Sequence, residues 1–440
     1  MSDEAKARKK SSVRHTRAIQ RDRSKRPSIA PPDDAVEERL TELIHPATYA
    51  QVAAYSAMGM RQRILTLPVM MAFVLSLIWR QVGSVAEAVR ELKKQGMLWT
   101  EAKPVSQQAV SERLRTFPAE LFYRVLMDIL PQMHQRWKVR RRPLSAAMRW
   151  ALDRFPDVVV LDGSTLDTLM RKVGLLREAD GQVLAGRIAA LVSAAAMLPE
   201  QIWYEENSQM HDQIFWERAV AQLTGGVLLL FDLGFTNYAW FDKLSSAGIW
   251  FVTRIKSNAV YQVESILQTG AHLHDRVVRL GQGKTECTQL IRLVEIESAG
   301  RWYRYLTNVL DPQVLPAEYV AELYAQRWRI EDIFNLVKRL LGLAYFWVGS
   351  INGIQVQIWA TWILYAVLVD LTDQVAEVLN RPFSEISIEM VFRGLYHFTM
   401  DYHQGKAKDP VLFLANEADL LGIIKRKRRL KPSLTGGPIP

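Results

Sequence analysis

Val158-Val-Val-Leu-Asp162-Gly-Ser-Thr165 is the stretch that decides how this chain is read. Four apolar residues, three of them β-branched, run straight into an acid, and a glycine follows. A short, wholly apolar run of this kind reads as a strand buried on both faces of a sheet. The pattern returns 70 residues later in Val227-Leu-Leu-Leu-Phe-Asp232-Leu-Gly234. Ligands of open α/β sheets bind outside the carboxyl ends of the strands. Each run therefore delivers an aspartate to a place where ligands are handled, and Gly163 lets a substrate's backbone come close. Either aspartate alone reads equally well as a turn or cap residue.

Working outward, further strands are expected over residues 188–194, 201–204 and 249–254, with a helix over 211–223 between the third and fourth strands. That order implies an α/β sheet layered with helices. Residues 257–310 read as a β-rich stretch, with strands at 276–280, 287–296 and 302–309. Residues 36–145 read as helical, with Ser84 as one N-cap. The helix Val105-Ser-Gln-Gln-Ala-Val-Ser-Glu-Arg-Leu-Arg115 is capped by Ser106 and turns Gln107, Gln108, Ser111 and Arg113 outward. It reads either as the groove-reading helix of a helix-turn-helix or as a packing helix. Pro316 opens a helical tract through Leu341, and apolar helices follow to about residue 380. Residues 1–35 read as a disordered basic arm, and 372–440 as a C-terminal helical region with a basic tail.

The 440 residues are 49% apolar and 23% charged, as in a globular protein, but carry a formal charge of +10. Residues 1–30 hold ten Lys/Arg against Asp3, Glu4 and Asp22, and Lys425-Arg-Lys-Arg-Arg429 forms a second block. Such blocks are either solubilising tails or arms for a polyanion's phosphates. Cys287 is the one cysteine, which rules out a disulfide or thiolate cage within one chain and fits a reducing cytoplasm. The N-terminus has no apolar signal core. The apolar stretches at 67–79 and 358–368 are shorter than a bilayer span, so core helices and no membrane are expected. Eight histidines lack zinc spacing, and no phosphate loop of the Gly-x4-Gly-Lys-Ser/Thr type appears.

The third acid lies in Tyr324-Ala-Gln-Arg-Trp-Arg-Ile-Glu331. On a continuous helix, Tyr324, Arg327, Glu331 and Lys338 fall within an arc of about 60° and span about 20 Å. Ile333, Leu336, Val337 and Leu340 take the opposite, core-facing side. The stripe reads either as a solvated face with an Arg327–Glu331 pair worth a few tenths of a kcal/mol, or as a surface for metal and phosphate. Three carboxylates on separate elements suit Mg²⁺ or Mn²⁺. Two such ions serve an in-line phosphoryl displacement.

These residues resemble the IS4-type group of DDE transposases. The likeness covers roughly residues 150–370. It rests on Asp162-Gly-Ser164, on Asp232-x-Gly234 followed by Phe241, Leu244, Gly248 and Phe251-Val-Thr-Arg254-Ile-Lys256, and on the spacing Tyr324-x2-Arg327-x3-Glu331-x6-Lys338. The resemblance implies an RNase H-like mixed sheet with flanking helices, spanning 150–256 and 311–371, interrupted by the β-rich insertion at 257–310 and preceded by the helical domain. It further implies that Asp162, Asp232 and Glu331 bind two Mg²⁺ ions, with Mn²⁺ able to substitute. The expected chemistry is cut-and-paste: hydrolysis at transposon ends, then attack of the freed 3′-OH on target DNA. Tyr324, Arg327, Lys338, Arg254 and Lys256 become expected phosphate contacts. Trp302, with Trp250 behind it, becomes the residue to stack on a flipped base. The expected partners are double-stranded DNA (terminal inverted repeats and target) and a second copy in a synaptic homodimer, at the nucleoid in the cytoplasm. A plain RNase H-like nuclease and a domesticated, catalytically silent DNA-binding protein are the rival readings.

Overall fold

The computed structural model describes residues 34–166, 186–207, 210–283, 286–341 and 350–425, with 343 and 347 between. Most of the two basic blocks lies outside these residues. The chain begins with seven helices: α1 (Asp34–Ala50), α2 (Val52–Ala57), α3 (Leu67–Trp79), α4 (Val85–Lys94), α5 (Gln107–Thr116), α6 (Ala119–Val139) and α7 (Ala146–Leu152). Next come β1 (Val158–Thr165), β2 (Arg187–Ser193) and β3 (Pro199–Glu205), a 3₁₀ turn (Asp212–Phe215), α8 (Trp216–Val220), β4 (Leu228–Phe231), α9 (Tyr238–Ser246) and β5 (Trp250–Arg254). Four strands follow: β6 (Tyr261–Thr269), β7 (Leu273–Leu280), β8 (Ile291–Ser298) and β9 (Arg301–Thr307). Five helices close the order: α10 (Ala317–Ala325), α11 (Trp328–Arg339), α12 (Ile351–Val378), α13 (Ile388–His403) and α14 (Pro410–Asn416).

All nine strands form one mixed sheet in the order β3-β2-β1-β4-β5-β9-β8-β7-β6. β1, β4 and β5 run parallel, while the other pairings are antiparallel. Side chains alternate across a strand, and both faces are covered. Val158 and Val160 belong to the large apolar cluster shared with the helices, whereas Val159 and Leu161 join Phe215, Trp216, Phe241 and Leu244 on the opposite face. β4 and the first half of β1, Val158–Leu161, are wholly apolar because neither of their faces meets water there.

Four expectations change. β1 does not end at Asp162: it continues to Thr165, with Asp162 paired opposite Ala190 of β2. The β-rich stretch is not a separate module, because β9 pairs with β5 (Arg254 opposite Tyr305) and so extends the core sheet. Its first strand, β6, had no apolar pattern to betray it; it is the sheet's edge and is exposed along nearly its whole length. The helix expected over 211–223 is a 3₁₀ turn and one short α-helix.

The helical regions do not separate from the core either. One apolar cluster runs from Leu40 to Ile423. At its centre is α12, 28 residues long, so the boundary expected at 371 falls inside a helix. By length and composition α12 could cross a bilayer, but 94% of its most apolar window is buried inside the protein. Its two buried acids are met by Arg140, which reaches Asp370 at 2.6 Å and Asp373 at 2.9 Å. Buried charge is tolerated when it is paired in this way. In α5, capped by Ser106, Gln107 and Gln108 are exposed, but Arg113 turns inward to Tyr55 Oη at 2.8 Å and the Leu65 carbonyl at 3.1 Å.

Candidate active site

Asp162 and Ser164 continue the face of β1 that Val158 and Val160 turn toward the helical layer. Asp232 follows the last residue of β4 and starts a 3₁₀ turn. Thus both aspartates stand toward the carboxyl ends of neighbouring parallel strands. Glu331 comes from the first turn of α11.

The long tract that carries Glu331 is not one helix. It breaks at Gln326–Arg327, and Arg327 is the N-cap of α11. The Arg327 side chain, 3% exposed, lies in the space between the three acids. Nη1 lies 2.9 Å from Asp162 Oδ2, Nη2 lies 3.6 Å from Glu331 Oε1, and Nε lies 3.9 Å from Asp232 Oδ1. The guanidinium is flanked by the Trp328 ring at 4.5 Å and the Tyr324 ring at 5.7 Å. Tyr324 is itself buried, with its hydroxyl 3.5 Å from Asp232 Oδ1. Lys338, two turns beyond Glu331, donates to the Ser164 hydroxyl.

Charge in this cluster is finely balanced. Burial pushes the Asp162 carboxyl up to about 7, with Asp232 and Glu331 adding to the rise. The Arg327 guanidinium and the Gly163 N–H pull the other way. Burial likewise raises the Tyr324 phenol, so it stays protonated at neutral pH. Three carboxylates converge on one guanidinium, and their hard oxygens are of the kind that suits a divalent ion. That donor set fits Mg²⁺ or Mn²⁺. Among the described residues, no three His, Cys, Asp or Glu side chains are gathered tightly enough to hold a metal ion as they stand, these three acids included.

The remaining expected residues lie around this centre. Arg254 closes β5, half-buried, where its charge acts on Tyr305 and Tyr324. Lys256 is exposed two residues further on. Trp302 lies three residues beyond the Arg254–Tyr305 pairing, so β9 carries it past the carboxyl end of β5 by about 10 Å. It is 43% exposed and stacks on His274 at 4.7 Å. Trp250 starts β5, at the opposite end of the sheet from the acids. Sequence reasoning passed over Asp212, read only as a helix start. Its carboxylate is bound by Arg187 and lies against Gly163 and Gly234.

Two strand-borne aspartates and a helix-borne glutamate thus close on one cationic centre toward the carboxyl edge of a mixed sheet. Residues 155–367 match the family described as Transposase DDE domain. Over 168 residues it is 31% identical to the y4zB protein of Sinorhizobium fredii, named as a transposase; the match covers 36% of this chain and 45% of that protein. Over 306 residues it is 26% identical to a protein of Geobacillus stearothermophilus named as a transposase for insertion sequence element IS5377, covering 68% of this chain and 75% of that one. The chain thus spans less than half of the first relative and three quarters of the second. A solved piggyBac transposase synaptic complex with hairpin DNA aligns over 89% of this chain and 83% of that one, at 10% identity and a TM-score of 0.36, a likeness too loose to carry an argument.

Proposed function

We propose that this chain is a metal-dependent DDE transposase of the IS4 type, cutting the ends of its element and joining them to target DNA. One observation carries the reading: Asp162, Asp232 and Glu331, far apart in sequence, surround the same guanidinium within a transposase DDE domain. The strand order β3-β2-β1-β4-β5, with β2 antiparallel and β1, β4 and β5 parallel, supports an RNase H-like core.

In this reading the three carboxylates hold two divalent ions, Mg²⁺ with Mn²⁺ as substitute. When bound, these activate the attacking oxygen and stabilise the leaving one. Water breaks the phosphodiester at the element's end and leaves a 3′-OH; that hydroxyl then attacks a target phosphate and expels the target's own 3′ oxygen. Lys338 holds Ser164 beside Asp162 and offers positive charge at the edge of the cluster. Arg254 and Lys256 place cations where a DNA backbone would cross the sheet edge. Trp302, stacked on one side by His274, has an exposed part of its ring for an unstacked base. A synaptic homodimer on paired ends, acting at the nucleoid, completes the proposal.

The test uses a labelled duplex bearing the element's terminal repeat, with Mg²⁺, and compares wild type with Asp232→Ala. Nicking at the repeat boundary that is lost in the variant, with joined products in the presence of target DNA, supports the transposase. Cleavage indifferent to the repeat points instead to a plain nuclease. Repeat binding with no cleavage in Mg²⁺ or Mn²⁺ points to a silent DNA-binding protein.

A further inference from the structure

Asp212 lies outside the triad, yet its carboxylate stands between the β1 segment that carries Asp162 and the loop that carries Asp232. A Cβ added at Gly163, the residue after Asp162, would lie 2.5 Å from Asp212 Oδ1 and 3.2 Å from its Cγ. On the other side, a Cβ at Gly234, two residues after Asp232, would lie 3.5 Å from Asp212 Oδ2. Gly163 points to the sheet face opposite Asp162, because the two are adjacent in β1. The wedge therefore supports the metal-facing side from behind and does not compete for it.

The carboxylate is fixed from two directions. Arg187, at the start of β2 and paired with the end of β1, donates to Asp212 Oδ1 and, at 2.7 Å, to the Met210 carbonyl. The 3₁₀ turn and α8 that begin at Asp212 are docked on the Asp232 loop. Trp216 Nε1 donates to the Phe235 carbonyl at 2.9 Å, and the Trp216 ring packs edge-on against Phe231 and Phe235. Asn237 Nδ2 reaches Gln213 Oε1 at 3.5 Å. Asp212 thus joins β2, the Gly163 backbone and the Asp232 loop into one unit.

We propose that Asp212, clamped by Arg187, is a positioning residue: a wedge that sets the spacing of the Asp162 segment of β1 and the Asp232 loop for divalent-ion binding. This rests on the transposase reading only for the ions; the wedge itself is a property of the fold. Gly163 is then required because any side chain there expels the carboxylate, not because substrate must approach.

The test measures two things on the full chain. The first is amide hydrogen exchange without metal at 161–166 and 231–237. Asp212→Ala speeds exchange in both segments, whereas Asp212→Asn, which keeps the wedge's shape, leaves both near wild type. The second is Mn²⁺ affinity by calorimetry. Asp212→Ala and Gly163→Ala each weaken it about tenfold or more, the range for groups that orient metal ligands, and Asp212→Asn does not. The double variant Gly163→Ala/Asp212→Ala is no weaker than Asp212→Ala alone, since the new methyl enters the space the carboxylate left. Unchanged exchange in Asp212→Ala, or change in one segment only, overturns the wedge. So do additive losses in the double variant, or an Asn variant as damaged as the Ala variant. If wild type binds no Mn²⁺, the metal reading fails, and hydrogen exchange still decides the wedge.

Discussion

Arg327→Gln removes the cation on which the three acids converge, and the structure sets the size of the loss. At 2.9 Å from Asp162, the gross attraction is about 6 kcal/mol at an effective dielectric of about 20. Both side chains are nearly buried, at 3% and 13% exposed, and removing one partner of such a pair typically costs about 3–5 kcal/mol. Asp232 and Glu331 are 42% and 48% exposed, so screening limits their share to about 1 kcal/mol. The loss depends on pH. Asp162 has a folded pKa of about 7 against an ordinary 3.8. A carboxyl raised on folding binds its proton more tightly in the native state, so proton uptake adds stability as pH falls from 7 toward 4. Above 7 the charged form is forced on the fold, and there Arg327 matters most. Without it the folded pKa rises further. At pH 8.5 Arg327→Gln should therefore lose about 3–5 kcal/mol in urea unfolding of metal-free protein. At pH 5 Asp162 is protonated in both proteins, and the gap should shrink to about 1 kcal/mol, that of a lost hydrogen bond. Added Mn²⁺ should stabilise the variant more than wild type, because it supplies the charge that Arg327 supplied. An equal loss at both pH values, or a larger one at pH 5, refutes this account of the cluster.

Three further outcomes are expected. Asp157, at the foot of β1, is pushed up to about 6 by burial and then by Glu200. It accepts hydrogen bonds from Val158 N at 2.7 Å and Ser193 Oγ at 3.1 Å, which an asparagine oxygen retains. Its charged form costs stability above pH 6, so Asp157→Asn should gain about 3 kcal/mol at pH 8 and nothing near pH 4 in urea titrations. Arg292, fully buried, holds Asp275 at 2.6 Å and donates to the Leu315 carbonyl at 2.6 Å just before α10. Arg292→Met should cost about 3–5 kcal/mol by thermal or urea unfolding, and adding Asp275→Leu should recover much of it. Trp302→Ala should leave the melting temperature nearly unchanged while weakening binding to an unpaired terminal base by about 1–3 kcal/mol in fluorescence titrations.

Legibility of the site from sequence followed how local each signal was. The apolar runs before Asp162 and Asp232 are local signals of strands covered on both faces; they located two neighbouring parallel strands and the end of β4 at Asp232, but not the continuation of β1 past Asp162. β6 was invisible for the converse reason: an exposed edge strand needs no apolar alternation, and its pairing with β7 is a long-range fact. The same limit applied at Arg327. Helical arithmetic put it on one stripe with Tyr324, Glu331 and Lys338, read as a solvated face or a metal-and-phosphate surface, with no local sign that Tyr324 and Arg327 would be buried. The burial is a tertiary fact: carboxylates from elements up to 165 residues away meet this face, and the buried arginine offsets their charge. Arginine is suited to this because its planar fork can face several carboxylates at once and stays charged when buried, where a buried lysine readily loses its proton. The burial also has a consequence for the reaction. If DNA phosphates and divalent ions enter this cluster, Arg327 exchanges carboxylate partners for phosphate, and the charge that stabilises the resting site becomes available to the substrate. Arg327→Lys should then retain most of the stability at pH 7, since a point charge still offsets the acids, yet lose end cleavage because it cannot make both sets of contacts. A lysine variant that cleaves as wild type does would show that Arg327 serves only as a counter-ion.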